Sequence, residues 1–311
     1  MRRCLVWLYV LILSSTPSSA HADTFGSGVN SFEIEFVPIG SPGNPPDDFP
    51  NPAGAVPYIY RIGKYEISEQ MIDKANALGG LGITKDTRGP DKPATSVSWF
   101  EAAIFVNWLN TSTGNTPAYK FDLNGDFQLW EPTDPGYDAN NLFRNRRARY
   151  FLPSIDEWHK AAYYDPVAGH YWDYPTGSDS VPDGIDFVGD PNFDAVFFDG
   201  GTNPGPNDVQ DVGLQSPFGT LGQGGNVFEW DETAFDRNNN LPKEQRRISG
   251  GSWQSQEFVF QASNTLGGTA PEFEGLSVGL RIAREIPEPG SSLLILVGIF
   301  AGLLTCARIS R

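Results

Sequence analysis

The sequence predicts an α+β domain with little regular secondary structure. Three helical patterns precede short β-prone segments near Arg247–Trp253 and Val278–Ala283, and no strand–helix alternation indicates a parallel sheet. The 25 prolines and 34 glycines are spread between short apolar runs, which is typical of long loops on a compact frame. Since no repeat of roughly 20–50 residues is present, one domain over residues 23–286 is the simplest interpretation.

The first strands are predicted from the alternation of apolar and polar residues, and the first helix from the residues that begin and end it. Phe32–Ile39 alternates apolar and polar residues and is predicted to be a strand, and Tyr58–Ile67 is predicted to be a second strand with a glycine break. Residues 40–54 between them form a proline-rich loop. Ser68 then predicts a short helix through Ala77, which the following glycines end.

Two capping boxes mark the starts of the other helices. Ser98 with Glu101 precedes apolar residues at helical spacing, so a helix is predicted over Trp99–Leu109. Ser154 with Glu157 repeats this arrangement ahead of a second amphipathic segment. In both cases the hydroxyl and the carboxylate satisfy backbone N–H groups that the first helical turn leaves unpaired.

The amino terminus has the features of a secretory signal peptide. Arg2 and Arg3 precede an apolar run over residues 5–13, and small residues come just before Asp23. The apolar run is shorter than the ~20 residues that span a bilayer. Residues 1–22 are therefore predicted to be a cleaved signal peptide, with a membrane anchor as the alternative.

The carboxyl terminus, residues 287–311, joins a Pro-Glu-Pro motif to an apolar segment and to terminal arginines. This order resembles the PEP-CTERM sorting signal of exopolysaccharide-producing Gram-negative bacteria. The resemblance implies an exosortase as a partner, transient insertion of a short transmembrane helix over residues 292–307, and export to the periplasm, cell surface or extracellular matrix. An ordinary single-span anchor is the alternative, because an apolar stretch followed by positive charge stops in a membrane.

Charge and cysteine content exclude several classes of protein. Asp and Glu number 38 against 22 Lys and Arg, for a net charge of -16, whereas binding to nucleic acid or anionic lipid requires clustered positive charge. Cys4 and Cys306 lie in the two terminal signals. Residues 23–286 therefore contain no disulfide, and a packed core must supply the stability.

Seven sequence blocks occur in the order found in the formylglycine-generating, sulfatase-modifying enzyme family, which this chain resembles over roughly residues 31–285. The blocks are KYEISEQMIDKANAL from Lys64, KPATSVSWFEAAIFVNWLN from Lys92, FLPSIDEWHKAA from Phe151, YPTG from Tyr174, GNVFEW from Gly225, RISGGSW from Arg247 and VGLRIA from Val278. The resemblance implies a fold related to the C-type lectins, with structural calcium.

The catalytic chemistry of that family is not expected to carry over. Its active members bind copper(I) through two cysteines that follow the GGS motif, and the matching positions here are Ser255 and Phe260. Copper(I) requires soft thiolate ligands, so we expect neither copper nor catalytic residues. A second branch of the fold uses three histidines for iron. This chain has only His159 and His170 in the domain, which is weak evidence for such a site. His159 is expected to be a surface or half-buried helix residue.

Calcium requires only hard oxygen ligands. The resemblance implies one site at Gly225, Val227 and Glu229, with Gly222 standing where the family has a side-chain ligand. It implies a second site at Asn192. The neighbouring acids that could complete the second site are Asp194, Asp199, Asp208 and Asp211. A solvated acidic loop is the alternative, since Asp and Asn also favour turns.

Two functions stay open at this stage. The first is an exported, non-catalytic module that binds a ligand or has a structural role at the cell surface or in the exopolysaccharide matrix. The second is an enzyme of altered chemistry that oxidises a cysteine or another sulfur substrate.

The aromatic residues are relevant to the first function, the binding of a ligand. Trp99, Trp158, Trp230 and Trp253 are predicted to be core, whereas the loop aromatics Trp130, Trp172, Tyr137, Tyr163, Tyr164, Tyr171 and Tyr174 could stack on sugar rings or on peptide side chains.

Overall fold

The structure is a computed structural model, and it describes residues 21–48, 52–185, 190, 192–200, 205–264 and 267–286. The α-helices are α1 (Glu69–Gly79), α2 (Trp99–Ser112) and α3 (Ile155–Tyr163). The strands are β1 (His21–Phe25), β2 (Phe32–Ile39), β3 (Tyr60–Gly63), β4 (Lys120–Phe121), β5 (Phe127–Gln128), β6 (Tyr150–Phe151), β7 (Tyr164–Asp165), β8 (His170–Tyr171), β9 (Phe228–Ala234), β10 (Arg246–Ser249), β11 (Gly268–Thr269), β12 (Val278–Gly279) and β13 (Ala283–Glu285). Most of the predicted signal peptide and the whole predicted tail, with residues 292–307, lie outside the described residues.

The larger sheet joins the two ends of the domain. Its strand order is β1-β2-β3-β13-β6, and all its pairings are antiparallel. The predicted strand Phe32–Ile39 matches β2 at both ends. The predicted strand Tyr58–Ile67 is wrong in length, because β3 ends at Gly63. The backbone N–H of Lys64 still donates to the carbonyl of Glu35 in β2, but that of Ile67 donates to the carbonyl of Leu280 instead.

The second sheet carries the GNVFEW block. Its order is β11-β10-β9-β12, and β9 is antiparallel to β10 and parallel to β12. The predicted β-prone segments near residues 247–253 and 278–283 correspond to β10 and to β12 with β13. The pairs β4-β5 and β7-β8 form short ribbons. This single domain of short strands and few helices confirms the predicted α+β class.

Both predicted capping boxes are present. Ser98 Oγ accepts from the backbone N–H of Glu101, and Glu101 Oε2 accepts from the backbone N–H of Ser98 at 2.9 Å. Ser154 and Glu157 make the same reciprocal pair at the start of α3. Helix α2 continues three residues beyond the predicted end at Leu109, and α1 ends before Gly80 in the left-handed conformation that favours glycine.

The four tryptophans that were predicted to be core are buried: Trp99, Trp158, Trp230 and Trp253. The main apolar cluster packs α1 and α2 against the larger sheet, with Trp99 in edge contact with Tyr119 and Phe127. Three of the loop aromatics are buried as well and are unavailable for stacking on a ligand: Tyr163, Tyr164 and Tyr174. The others, Trp130, Tyr137, Tyr171 and Trp172, are half-buried.

Candidate functional site

Three of the sequence blocks meet at the carboxylate of Glu229, which lies in β9 and is completely buried. Arg281 Nη2 donates to Glu229 Oε1 at 2.7 Å, and Arg281 Nε lies 3.0 Å from Oε2. The indole Nε1 of Trp158, on α3, donates to Oε2 at 2.7 Å. Both oxygens of this carboxylate therefore have donors from the protein itself.

Arg281 connects this carboxylate to two further segments of backbone. Its Nη1 donates to the carbonyl of Gly63 at 2.8 Å, and its Nη2 donates to the carbonyl of Leu221 at 2.6 Å. A planar guanidinium suits such a site because it presents several donors in a fixed arrangement. The end of β3, the loop before β9 and β9 itself are held together by this one side chain.

A second buried carboxylate, Glu66, lies beside the same network. Its Oε1 accepts from Asn226 Nδ2 at 2.9 Å, while its Oε2 is buried and has no hydrogen-bond partner among the described residues. Burial raises the pKa of Glu66 to about 8, with a smaller contribution from the negative charge of Glu229 and an opposing one from Arg281. Arg281 is thus paired with Glu229, and it acts on Glu66 only through its charge.

Gly222 is required by the position of Glu66. A Cβ built on Gly222 would lie 2.7 Å from Glu66 Oε1 and 2.8 Å from Oε2, and the backbone there has φ +75°, which also favours glycine. The carboxylate of Glu66 therefore occupies the space that a side chain at residue 222 would need.

The residues predicted to bind calcium fall in two different environments. Gly225, Val227 and Glu229 are buried beside the Arg281 network, whereas Asn192 is exposed and its backbone N–H donates to Asp190. Some of the oxygens at the first site suit a hard cation and others do not. Glu229 already has donors on both oxygens, but the unpaired oxygen of Glu66 is a hard donor of the type that calcium prefers. Within the described residues, no group of three or more His, Cys, Asp or Glu could hold a metal ion.

The acids near Asn192 have partners of their own in several cases. Asp194 accepts from the backbone N–H of Asp183 at 3.0 Å, and Asp208 forms an ion pair with Lys92 at 3.0 Å. The carbonyl of Asp211 accepts from the side chain of Asn207. The second calcium site stays a prediction.

The two positions matched to the copper ligands are close in the structure but differ in exposure. Phe260 is 1% exposed, and its ring centroid lies 5.8 Å from that of Tyr174 and 5.1 Å from that of Phe197. Ser255 is half-buried: its Oγ accepts from the backbone N–H of Ser252 and its carbonyl from that of Phe198. An aromatic cluster therefore fills one position, and a hydroxyl within a tight turn fills the other.

His159 is buried, so the expectation of a surface or half-buried residue is wrong. The proline-rich loop before β3 covers this face of α3, and Asp47 lies 3.0 Å from His159 Nε2. The His159 ring also packs against Tyr163. His170, by contrast, is exposed and packs edge-on against Trp172. The two histidines have different partners, so the structure adds no support for an iron site formed by them.

Sequence reasoning missed Glu66 and Arg281. Each is a charged residue inside an otherwise apolar block, in YEI and GLRIA, and such a position indicates a buried charge that must be paired. That signal identifies the two residues as candidates but does not say that they approach the same carboxylate.

The described residues include no helix that is long and apolar enough to cross a bilayer. This finding applies to the domain alone.

The chain is similar to several known proteins. A curated relative, "Chaperone protein LppX" from Paenibacillus barcinonensis, is 23% identical over 301 residues, covering 90% of this chain and 99% of that protein. Treponema denticola variable protein 1 superposes with a TM-score of 0.61 at 18% identity, covering 86% of this chain and all of that one.

Two further solved structures are similar. CarF matches with a TM-score of 0.57 at 20% identity over 81% of this chain and 98% of its own. PvdO from Pseudomonas aeruginosa matches with a TM-score of 0.53 at 18% identity over 88% of this chain and 100% of its own. At these identities the likeness establishes the fold alone. Residues 58–286 match the sulfatase-modifying factor enzyme 1-like domain, and the chain therefore belongs to that family.

Proposed function

We propose that this protein is an exported, non-catalytic member of its family that binds a ligand or has a structural role outside the inner membrane. The observation that supports this most strongly is Phe260, buried between Tyr174 and Phe197 at a position matched to a copper-binding cysteine. A phenyl ring cannot coordinate copper(I) as a thiolate does.

The surface offers features that suit binding. Trp130 and Trp172 are half-buried, and each indole N–H has an acceptor, the carbonyl of Ala118 and the carboxylate of Asp165 respectively. The rings are thus held in place while part of each stays accessible, as stacking on a sugar or a peptide side chain requires. A relative that is named as a chaperone supports a protein ligand as the other possibility.

The export part of this proposal depends on the sequence at both ends. A signal peptide over residues 1–22 and an exosortase-read tail over residues 287–311 would release the domain to the periplasm, cell surface or extracellular matrix. Fractionation of cells that express the full chain, with and without Pro287 and Pro289 replaced by alanine, tests the tail. Unchanged localisation of the variant would refute its role as a sorting signal.

A structural calcium at Gly225, Val227 and Glu229 is part of the proposal, and Asn192 is the candidate for a second ion. Calcium would supply positive charge to a buried region that holds two carboxylates and one guanidinium. Its expected effect is on stability, because these residues connect β9 to the loops around it.

The catalytic question is decided by a peptide oxidation assay. The full chain is incubated with a cysteine-containing sulfatase peptide, with and without copper, and aldehyde formation is followed by mass spectrometry. We expect no product from the wild-type chain or from the Ser255→Ala variant. Copper-dependent turnover by the wild-type chain would refute the non-catalytic function and favour the enzyme of altered chemistry.

Ligand binding is measured separately on a glycan array, with and without a calcium chelator. We expect the Trp130→Ala and Trp172→Ala variants to lose the signal that the wild-type chain gives. Leu123→Ala is the matched control, because that side chain is fully exposed and lies in a loop outside the aromatic sites. If the wild-type chain binds no glycan on the array, the proposal that its ligand is a glycan is refuted.

A further inference from the structure

Arg146 and Arg147 are exposed arginines on a protein whose net charge is -16. Several half-buried cations of this protein pair with a carboxylate: Lys64, Lys85, Arg88, Lys92 and Lys120. Within the part of the chain that the structure describes, the side chains of Arg146 and Arg147 make no such pair, although acids outnumber basic residues by 38 to 22. Both guanidinium groups are therefore available to an anion from outside.

The turn that carries these arginines is fixed by the buried side chain of Asn145. Its Nδ2 donates to the carbonyl of Pro135 at 2.8 Å, and its Oδ1 accepts from the backbone N–H of Arg147 at 3.0 Å. The backbone N–H of Arg146 donates to the carbonyl of Gly136 at 3.0 Å. Gly136 has no room for a Cβ, because Asn145 Oδ1 occupies that space. The backbone beneath both arginines is thus preorganised, which lowers the entropy cost of binding.

The same turn meets the accessible indole of Trp130. The carbonyl of Ala118 accepts from Trp130 Nε1 at 3.0 Å and from the backbone N–H of Asn145 at 2.8 Å. The backbone N–H of Trp130 also donates to the carbonyl of Leu142 at 2.9 Å. Arg146 follows Asn145 directly, so an aromatic ring and a guanidinium lie within the span of a short oligosaccharide.

The acids of this region have other partners or make no ion pair with the two arginines. Asp134 pairs with Lys120 at 2.7 Å, and Lys120 Nζ lies 6.0 Å from the centroid of the Trp130 ring. Asp138 Oδ1 accepts from the backbone N–H of Asn140 at 2.9 Å. Glu131 is exposed. The positive charge of the turn is therefore not neutralised by a neighbouring ion pair.

We propose that Trp130, Arg146 and Arg147 form a binding site for an anionic sugar. The indole stacks on the sugar ring, and the arginines bind its carboxylate or sulfate group, since a guanidinium makes paired, charge-assisted hydrogen bonds with such anions. This inference rests on the ligand-binding form of the proposed function and names the class of ligand. Two arginines are too few to hold a nucleic acid against the acidic surface, but they suffice for one or two anionic groups.

The test is calorimetric titration of the full chain at an ionic strength of about 0.15 M. The probes are oligogalacturonate, which carries carboxylates, dextran sulfate, which carries sulfates, and neutral dextran. The wild-type chain should bind at least one anionic probe and not neutral dextran. Arg146→Ala and Arg147→Ala should each weaken binding by about 10-fold, because each removes a charge-assisted hydrogen bond.

Three further variants separate the site from general effects. Lys243→Ala removes the same charge from another exposed cation, on the loop between β9 and β10, and should bind as the wild-type chain does. Arg146→Lys keeps the charge but loses the planar fork, so its affinity should lie between those of the wild-type and Arg146→Ala chains. Trp130→Phe keeps an aromatic ring and should retain more affinity than Trp130→Ala.

Three outcomes would overturn the inference. The first is that the wild-type chain binds neither anionic probe. The second is that Arg146→Ala and Arg147→Ala bind as tightly as wild type. The third is that Lys243→Ala weakens binding as much as they do, which would indicate a response to net charge alone. If a neutral glycan on the array binds equally to wild type and to both arginine variants, this inference fails while the ligand-binding function stands.

Discussion

Lys160 is a buried cation whose replacement should stabilise the protein. It lies in the middle of α3 with no solvent exposure, and its Nζ donates to the carbonyl of Ser41 at 2.9 Å. Burial lowers the pKa of its amine to about 8 from the usual 10.5. The folded protein therefore holds a charged amine near neutral pH in a place that disfavours the charge.

The size of this effect follows from the change in pKa. A fall from 10.5 to about 8 corresponds to a free-energy cost of about 3 kcal/mol for keeping the folded amine charged. Lys160→Met removes that cost and retains an unbranched side chain, but it loses the hydrogen bond to Ser41, worth about 1 kcal/mol. Allowing for residual hydration, we expect the variant to be more stable by about 1–2 kcal/mol near pH 7.

The pH dependence gives the sharper test. Below pH 8 the amine is protonated in both folded and unfolded chains, so the full cost is present. Between about pH 8 and 10.5 the unfolded chain binds more protons than the folded one, and the wild-type protein should gain stability as pH rises. The advantage of Lys160→Met should shrink across that window.

The assay is urea unfolding of the full chain near pH 7 and about pH 10. Lys243→Met is the control, because Lys243 is exposed and its replacement should give no pH-dependent difference. The reasoning is refuted if Lys160→Met is less stable than wild type near neutral pH, or if its advantage is the same at both pH values.

Three other variants test the buried network and the packing. Arg281→Leu should cost about 3–5 kcal/mol in urea unfolding because it leaves the charge of Glu229 unpaired, and adding Glu229→Gln should recover part of that loss; additive losses would contradict the pairing. Phe260→Ala should cost about 3–5 kcal/mol in the same measurement, and a loss below about 1 kcal/mol would show that Phe260 does not fill its site. Ser154→Ala should cost about 1 kcal/mol through its lost cap, with Ser180→Ala, on a loop, as a neutral control in thermal unfolding.

The local elements were predictable because their causes are local. Ser98 and Ser154 start helices through carboxylates three residues later, and that relation is visible in the sequence. The alternation in β2 likewise reports one buried face. The length of β3 was not predictable, since it ends where the backbone turns towards Leu280, a partner more than two hundred residues away.

The candidate site was predictable only in part. The order of the sequence blocks was sufficient to predict the family, and the match over residues 58–286 confirms it. The burial of His159 was missed because it depends on a loop that ends a hundred residues earlier and brings Asp47 against α3. The role of Glu66 was missed for the same reason, since its neighbours Gly222 and Asn226 are remote in sequence.

The sequence by itself determined the family, the fold class, the helix starts and the absence of cysteine between residues 23 and 286. These depend on residue identity and on short spacings. Only the tertiary structure decided which charges are paired: Arg281 pairs with Glu229, whereas Glu66 packs against Gly222 and keeps one oxygen without a partner among the described residues. Burial makes charge pairing decisive, because an ion removed from water must find its partner within a few ångströms, and only the folded chain determines that neighbour.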